Sequence, residues 1–73
     1  MFVFSKDAMI GRLAVEGRLG QVTEEAMTIM SQLDGLEAVP NLWRQTVYGE
    51  DNAYYCVLDG RQFPVNGRDC IER

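Results

Sequence analysis

A chain of 73 residues, 47% of them apolar and 25% charged, has room for one domain with one small core and has an ordinary globular composition. This composition argues against intrinsic disorder. Seven basic and eleven acidic residues give a net charge of −4, and neither half of the sequence is basic, so a module that binds the phosphate backbone of nucleic acids is disfavoured.

Two helices are predicted at the start of the chain, over residues 6–16 and 24–34. Each is preceded by a hydroxyl residue that can accept a hydrogen bond from an unpaired backbone N–H, and each is followed by a glycine where a left-handed residue commonly ends a helix. The bracketing residues are Ser5 and Gly17 for the first helix and Thr23 and Gly35 for the second. The short connection RLGQVT suits an antiparallel or angled helix pair.

The second predicted helix gathers its apolar residues on one side and leaves its polar residues on the other. Glu24 and Glu25 begin that polar side, so we predict that both are exposed and are candidate interface residues. A helix–turn–helix DNA reader would need basic residues on this side, and it has no Lys or Arg. We therefore predict no nucleic-acid partner.

The residues after Pro40 favour strands, because aromatic and β-branched residues alternate with turn signals. Three strands are predicted, and Asp59-Gly60 between the last two is a strong two-residue hairpin signal. Asn66-Gly67 predicts another turn. Pro64 has no N–H for a ladder and places the third strand at a sheet edge. The predicted strands are residues 41–48, 53–58 and 61–65.

The predicted fold is α+β: an N-terminal helical hairpin packed on a C-terminal three-stranded antiparallel β-meander. It forms a single domain over residues 1–73, with the helices within 6–34 and the meander within 41–66. One helix pair on one sheet face provides the two layers that a domain needs. Residues 1–4 are consistent with another strand or with a hydrophobic contact at the helix start, and residues 68–73 are predicted to be irregular.

Catalytic and metal-binding chemistry is disfavoured because the chain has no histidine. Cys56 and Cys70 stand alone, which is no zinc pattern, and two free thiols are favoured over one disulfide. The stretch Glu50-Asp51-Asn52 lacks the spacing of a calcium loop. We therefore predict a non-enzymatic protein with no catalytic, cofactor-binding or metal-binding residues.

Aromatic residues are concentrated between Trp43 and Tyr55. In an alternating strand Tyr54 and Tyr55 point to opposite faces, so one of them lies away from the core. We predict a free sheet face that carries Arg44, Tyr48 and Tyr54, because exposed aromatic and arginine side chains are favoured at protein interfaces. The leading hypothesis is a small protein-interaction domain that binds another, unidentified protein.

The alternative hypothesis is an acidic decoy that imitates a phosphate backbone and inhibits a nucleic-acid-binding protein. Its charges would come from Glu24, Glu25, Glu50 and Asp51.

A second copy of the chain, paired along a sheet edge, is another candidate partner. We expect no membrane partner and a cytoplasmic location, since the apolar start is too short for a signal peptide or a span. Size and composition, but no motif, suggest an accessory protein of a bacterium, phage or mobile element.

Overall fold

The computed structural model describes residues 1–73 and has mixed α and β content, with three α-helices and five strands. No helix is both long enough and apolar enough to cross a bilayer. In chain order the elements are β1 (Phe2–Phe4), α1 (Lys6–Val15), α2 (Glu24–Leu33), β2 (Val39–Pro40), α3 (Leu42–Tyr48), β3 (Ala53–Leu58), β4 (Arg61–Asn66) and β5 (Cys70–Glu72).

Both predicted N-terminal helices are present, and each ends one residue before its predicted limit. The hydroxyls of Ser5 and Thr23 accept hydrogen bonds from the third helical N–H, both at 3.1 Å. Gly17 and Gly35 adopt the left-handed backbone at φ values of 70° and 82°. The capping residues therefore locate α1 and α2 before any packing is considered.

A three-stranded antiparallel meander is present, in the order β2-β3-β4, with β4 at an edge as Pro64 predicts. Asp59 and Gly60 form the predicted two-residue turn, with φ values of 53° and 75°. Positive φ at both positions defines the type I′ hairpin, whose twist suits the adjoining strands.

The first strand of the meander was predicted wrongly. Residues 42–48 form α3, and the strand beside β3 is the two-residue β2, Val39–Pro40. Asn41 caps α3 by accepting a hydrogen bond from the Arg44 N–H at 3.2 Å, and Gly49 ends it in the left-handed conformation. These two local signals outweigh the β preference of the residues between them.

The two ends of the chain pair with each other, which corrects the prediction of an irregular tail. β5 lies antiparallel to β1, with Val3 opposite Ile71. On its other side β1 bonds to the segment that leads into β2: the Phe4 N–H donates to the Leu36 carbonyl at 2.9 Å. Because β1 is bonded along both edges, it is a central strand of the fold and is more than a contact for α1.

One hydrophobic cluster joins α2 to the strands. Its fully buried members are Phe4, Met30, Leu33, Ala38 and Cys56. The side of β3 that faces this cluster carries Tyr54, Cys56 and Leu58, whereas Val57 on the opposite side is half exposed. The predicted free face with Tyr54 would put Tyr55 and Val57, which alternate with it, on the core side. The bounds of β3 were predicted correctly, but the choice of the face that points to the core was wrong. Because side chains alternate along a strand, that choice exchanges all core-facing and outward-facing residues.

A buried ion pair fastens α1 to the turn before β5. The side chain of Asp69 is only 2% exposed and accepts two hydrogen bonds from Arg12, from Nε to Oδ1 at 2.6 Å and from Nη2 to Oδ2 at 2.9 Å. The hydrogen bonds to Asp69 raise the pKa of Arg12 above its usual range. The Asp69 carbonyl also accepts the Ser5 N–H at 2.8 Å, so this turn and the start of α1 are held together.

Candidate functional site

Helix α3 presents its large apolar side chains to solvent. The exposed fractions are 69% for Leu42, 61% for Trp43, 57% for Val47 and 58% for Tyr48. These four residues are called the α3 surface below. Isolated exposed apolar residues are common on proteins, but four of them within one seven-residue helix make this helix a candidate for contact with another molecule.

The attachment of α3 to the sheet explains why these side chains point outward. Gln45 donates a hydrogen bond from Nε2 to the Ala53 carbonyl at 3.0 Å, and the Asn41 N–H donates to the same carbonyl at 2.9 Å. At 100° per residue, Trp43 and Val47 lie on the side of the helix opposite Gln45. Gln45 therefore holds α3 on β3 and leaves Trp43 and Val47 free, while Leu42 and Tyr48 flank Gln45 at about 60° on either side and are also exposed.

The two rings of the α3 surface are already in contact. Trp43 and Tyr48 pack edge to face, with centroids 5.0 Å apart and planes at 89°. This is a favoured geometry for aromatic pairs. Mutual contact restricts both side chains, so less conformational entropy remains to be lost when a partner binds.

The predicted interface residues separate into three places. Arg44 and Tyr48 come together on α3 and not on a sheet face, and Arg44 Nε donates to Glu50 Oε2 at 2.9 Å. Tyr54 is half-buried on the core side of β3, where its ring lies 5.2 Å from that of Phe2. Glu24 and Glu25 are exposed in the first turn of α2, as predicted. The prediction that Arg44, Tyr48 and Tyr54 share a free sheet face is therefore wrong.

Sequence reasoning missed Leu42, Trp43 and Val47 as exposed residues, because a strand over residues 41–48 would have turned Trp43 and Val47 toward the core. The available signal was the bracket of Asn41 and Gly49 around seven residues, a cap and a stop at helical spacing. Once that stretch is read as a short helix held at Gln45, Trp43 and Val47 must face away from the sheet.

A second feature is an open cleft of about 830 Å³ between the two N-terminal helices and the sheet. Its apolar walls come from α1, α2, β3 and β4, and polar side chains also line it. Representative apolar lining residues are Met9, Leu13, Ile29, Met30, Phe63 and Val65. A cleft of this size, with a mainly apolar surface and several polar side chains in its lining, has the general character of a ligand site.

This chain matches no family model, no curated protein and no solved structure.

The two cysteines are free thiols, as favoured from the sequence: Cys56 is buried and Cys70 half-buried. Burial raises the pKa of both. For Cys70 the pKa reaches about 11, with smaller contributions from Cys56 and Asp69. Because the thiolate is the reactive form, a raised pKa makes Cys70 a poor nucleophile near neutral pH.

We expect Cys70 to make the protein less stable at alkaline pH. Its thiol loses its proton near pH 9.0 in the unfolded chain but only near pH 11 in the folded one. Across that interval the unfolded state releases a proton that the folded state retains, so the free energy of unfolding falls as pH rises and is unaffected below about pH 8. Urea unfolding at several pH values measures this. Cys70→Ser should flatten the decline, and an equal decline in both proteins would contradict the assignment.

Proposed function

We propose that this protein is a non-enzymatic interaction domain that binds another protein through the α3 surface. The observation that carries the proposal is the outward apolar side of α3, with Trp43 and Val47 directed away from the sheet. Trp43, the single tryptophan, contacts the ring of Tyr48 and still remains 61% exposed. Covering this side chain with a partner would remove its apolar area from water, which is the main source of affinity at interface centres.

The surroundings of the α3 surface resemble the polar rim of an interface. Arg44 and Glu50 form a half-exposed ion pair beside it, and Asn41 starts the helix. Aromatic and arginine side chains are enriched among residues that dominate binding energies, and rim ion pairs contribute little by themselves. Binding is therefore expected to depend on Trp43 and Tyr48 far more than on Arg44.

The test is to replace Trp43 by alanine and measure capture of host proteins by quantitative mass spectrometry. Loss of a central aromatic anchor should weaken the specific complex about tenfold or more. The free energy of unfolding should change by about 1 kcal/mol or less, because the ring is 61% exposed and its edge-to-face contact with Tyr48 contributes only modestly. Unchanged capture by a folded Trp43→Ala variant would contradict the proposal.

Valine offers a matched control for this experiment. Val47→Ala alters the α3 surface, whereas Val15→Ala removes the same two methyl groups from an exposed site at the end of α1. Only the first should weaken binding. If both variants lose the partner equally, the effect arises from general surface hydrophobicity and not from α3.

The acidic-decoy alternative stays a prediction and makes a different claim about salt. Glu24 and Glu25 are exposed, as it requires, but Glu50 is paired with Arg44 and is partly neutralised. A decoy complex should dissociate as ionic strength rises from about 50 to 300 mM, whereas an apolar α3 complex should persist. Capture at two salt concentrations distinguishes the two functions.

A second copy of the chain is also a partner to be tested. Self-association along the edge strand β4 would leave Trp43 in water, whereas association through the α3 surface would bury it. The emission of this single tryptophan, followed as protein concentration rises, therefore separates the two kinds of dimer.

We further propose a cytoplasmic location, supported by two free cysteines, which suit a reducing compartment.

A further inference from the structure

The cleft between the helices and the sheet carries a charge opposite to that of the whole protein. Three of the seven basic residues line it, Arg12, Arg18 and Arg44, but only two of the eleven acids, Glu50 and Asp69. The lining has a formal charge of +1 (three minus two), and the other residues together carry −5. Most carboxylates of this acidic protein lie outside the cleft. The charge of the lining therefore favours an anionic ligand over a cationic one.

Two of the three arginines are paired with a carboxylate that also lines the cleft, and one is not. Arg12 and Arg44 are each paired with an acid that also lines the cleft. Arg18 also forms an ion pair, donating from Nη1 to Glu16 Oε1 at 3.3 Å, but both side chains are exposed to solvent, which weakens the pair, and Glu16 does not line the cleft. Since a guanidinium has five N–H donors, Arg18 retains several that can bind an oxyanion bidentately.

The polar groups next to Arg18 come from the same stretch of chain. Gln21 and Thr23 line the cleft and, like Arg18, belong to the connection between α1 and α2. Both can donate hydrogen bonds to an oxygen ligand. Glu24 and Glu25 follow directly but are exposed and do not line the cleft. This connection therefore forms a polar, cationic margin to a largely apolar cleft.

The rest of the cleft is suited to an alkyl chain. Leu13 and Met30 are buried within its lining, whereas Phe63 and Val65 are half-buried and Ile29 is 39% exposed. These three side chains leave apolar surface in contact with water that a ligand would cover. The volume of about 830 Å³ lies within the usual range of small-molecule sites, roughly 300–1,000 Å³.

We infer that this cleft binds a free single-chain amphiphile with one carboxylate, of the medium-chain fatty-acid class. The carboxylate pairs with Arg18 at the connection between α1 and α2, and the alkyl chain lies along the apolar walls. This site does not include Trp43 or the other residues of the α3 surface. Protein binding by α3 and amphiphile binding by the cleft can therefore fail independently.

The test is a titration of the folded chain with decanoate and with decan-1-ol, followed by amide chemical shifts in two-dimensional NMR. Arg18→Gln should weaken decanoate binding about five- to tenfold and leave decan-1-ol binding unchanged, because only the acid uses the charge. Arg68→Gln is the matched control, since Arg68 is exposed and does not line the cleft. It changes the net charge equally and should alter neither affinity.

A second variant tests the apolar part of the site. Ala26 lines the cleft on α2, so Ala26→Phe should fill the space and weaken both ligands, with far-UV circular dichroism reporting that the fold is retained. Shortening the acid should lower affinity up to about fourfold for each buried methylene lost. The inference is overturned if the chemical-shift changes do not saturate with decanoate, or if they cluster on the α3 surface. It is also overturned if Arg18→Gln and Arg68→Gln have equal decanoate affinities, or if the protein binds lipid vesicles but not free decanoate.

Discussion

Phe4→Ala is expected to lower the free energy of unfolding by about 3–5 kcal/mol, the cost of deleting a fully buried aromatic ring and leaving a cavity. Phe4 is 2% exposed and belongs to the hydrophobic cluster that joins α2 to the strands. A 73-residue domain has a total stability on the order of 4–11 kcal/mol, so this single change should remove a large fraction of it. Urea unfolding followed by far-UV circular dichroism measures the loss.

Phe2→Ala is the matched control, in the same strand and on the same side of it. Phe2 is only half-buried and contacts Tyr54, so its loss should cost about 1–2 kcal/mol. The expected order depends on β1 being central to the fold. Equal and small effects of the two substitutions would show that β1 is a detachable end.

Asp69→Ala is expected to destabilise the protein by about 2–4 kcal/mol. Removing Asp69 takes away the buried partner of Arg12, which is only 24% exposed and keeps only the longer contact with the more exposed Glu16. The partial exposure of Arg12 places the expected cost toward the lower part of the range for fully buried pairs. Thermal and urea unfolding of the variant give the value.

Two further variants separate the ion pair from its surroundings. Glu16→Ala removes the more exposed carboxylate that contacts Arg12 and should cost less than about 0.5 kcal/mol. The double replacement Arg12→Met with Asp69→Leu should restore much of the stability lost by Asp69→Ala, because no buried charge is then left alone. A double variant as unstable as the sum of its parts would contradict this account.

Local signals were sufficient to locate α1, α2, β3 and β4. Ser5 and Thr23 start α1 and α2, and Asp59-Gly60 sets the turn between β3 and β4. Each of these signals acts over a few neighbouring residues, so the sequence alone contains the cause. The same kind of signal was present at Asn41 and Gly49, but the aromatic and β-branched residues between them favoured a strand.

The candidate site was predicted in part. Arg44 and Tyr48 were selected for their interface chemistry and do lie together, but Tyr54 faces the core. Alternation along β3 required that Tyr54 and Tyr55 face opposite ways. It did not specify which of them faces α2, because both are amphipathic rings of equal size. The close approach of Gly67 to the Tyr54 ring, where an added Cβ would lie 2.8 Å from Cε1, belongs to the same packing.

The sequence by itself determined the caps and approximate lengths of α1 and α2, the hairpin turn and the exposure of Glu24 and Glu25. These properties depend on composition and on interactions between residues close in the chain. Tertiary structure decided the pairing of β1 with β5, the burial of Asp69 against Arg12, the outward direction of α3 and the cleft beside Arg18. Each of these joins residues distant in sequence, and their contacts are selected by the shared burial of apolar surface and have no local signature.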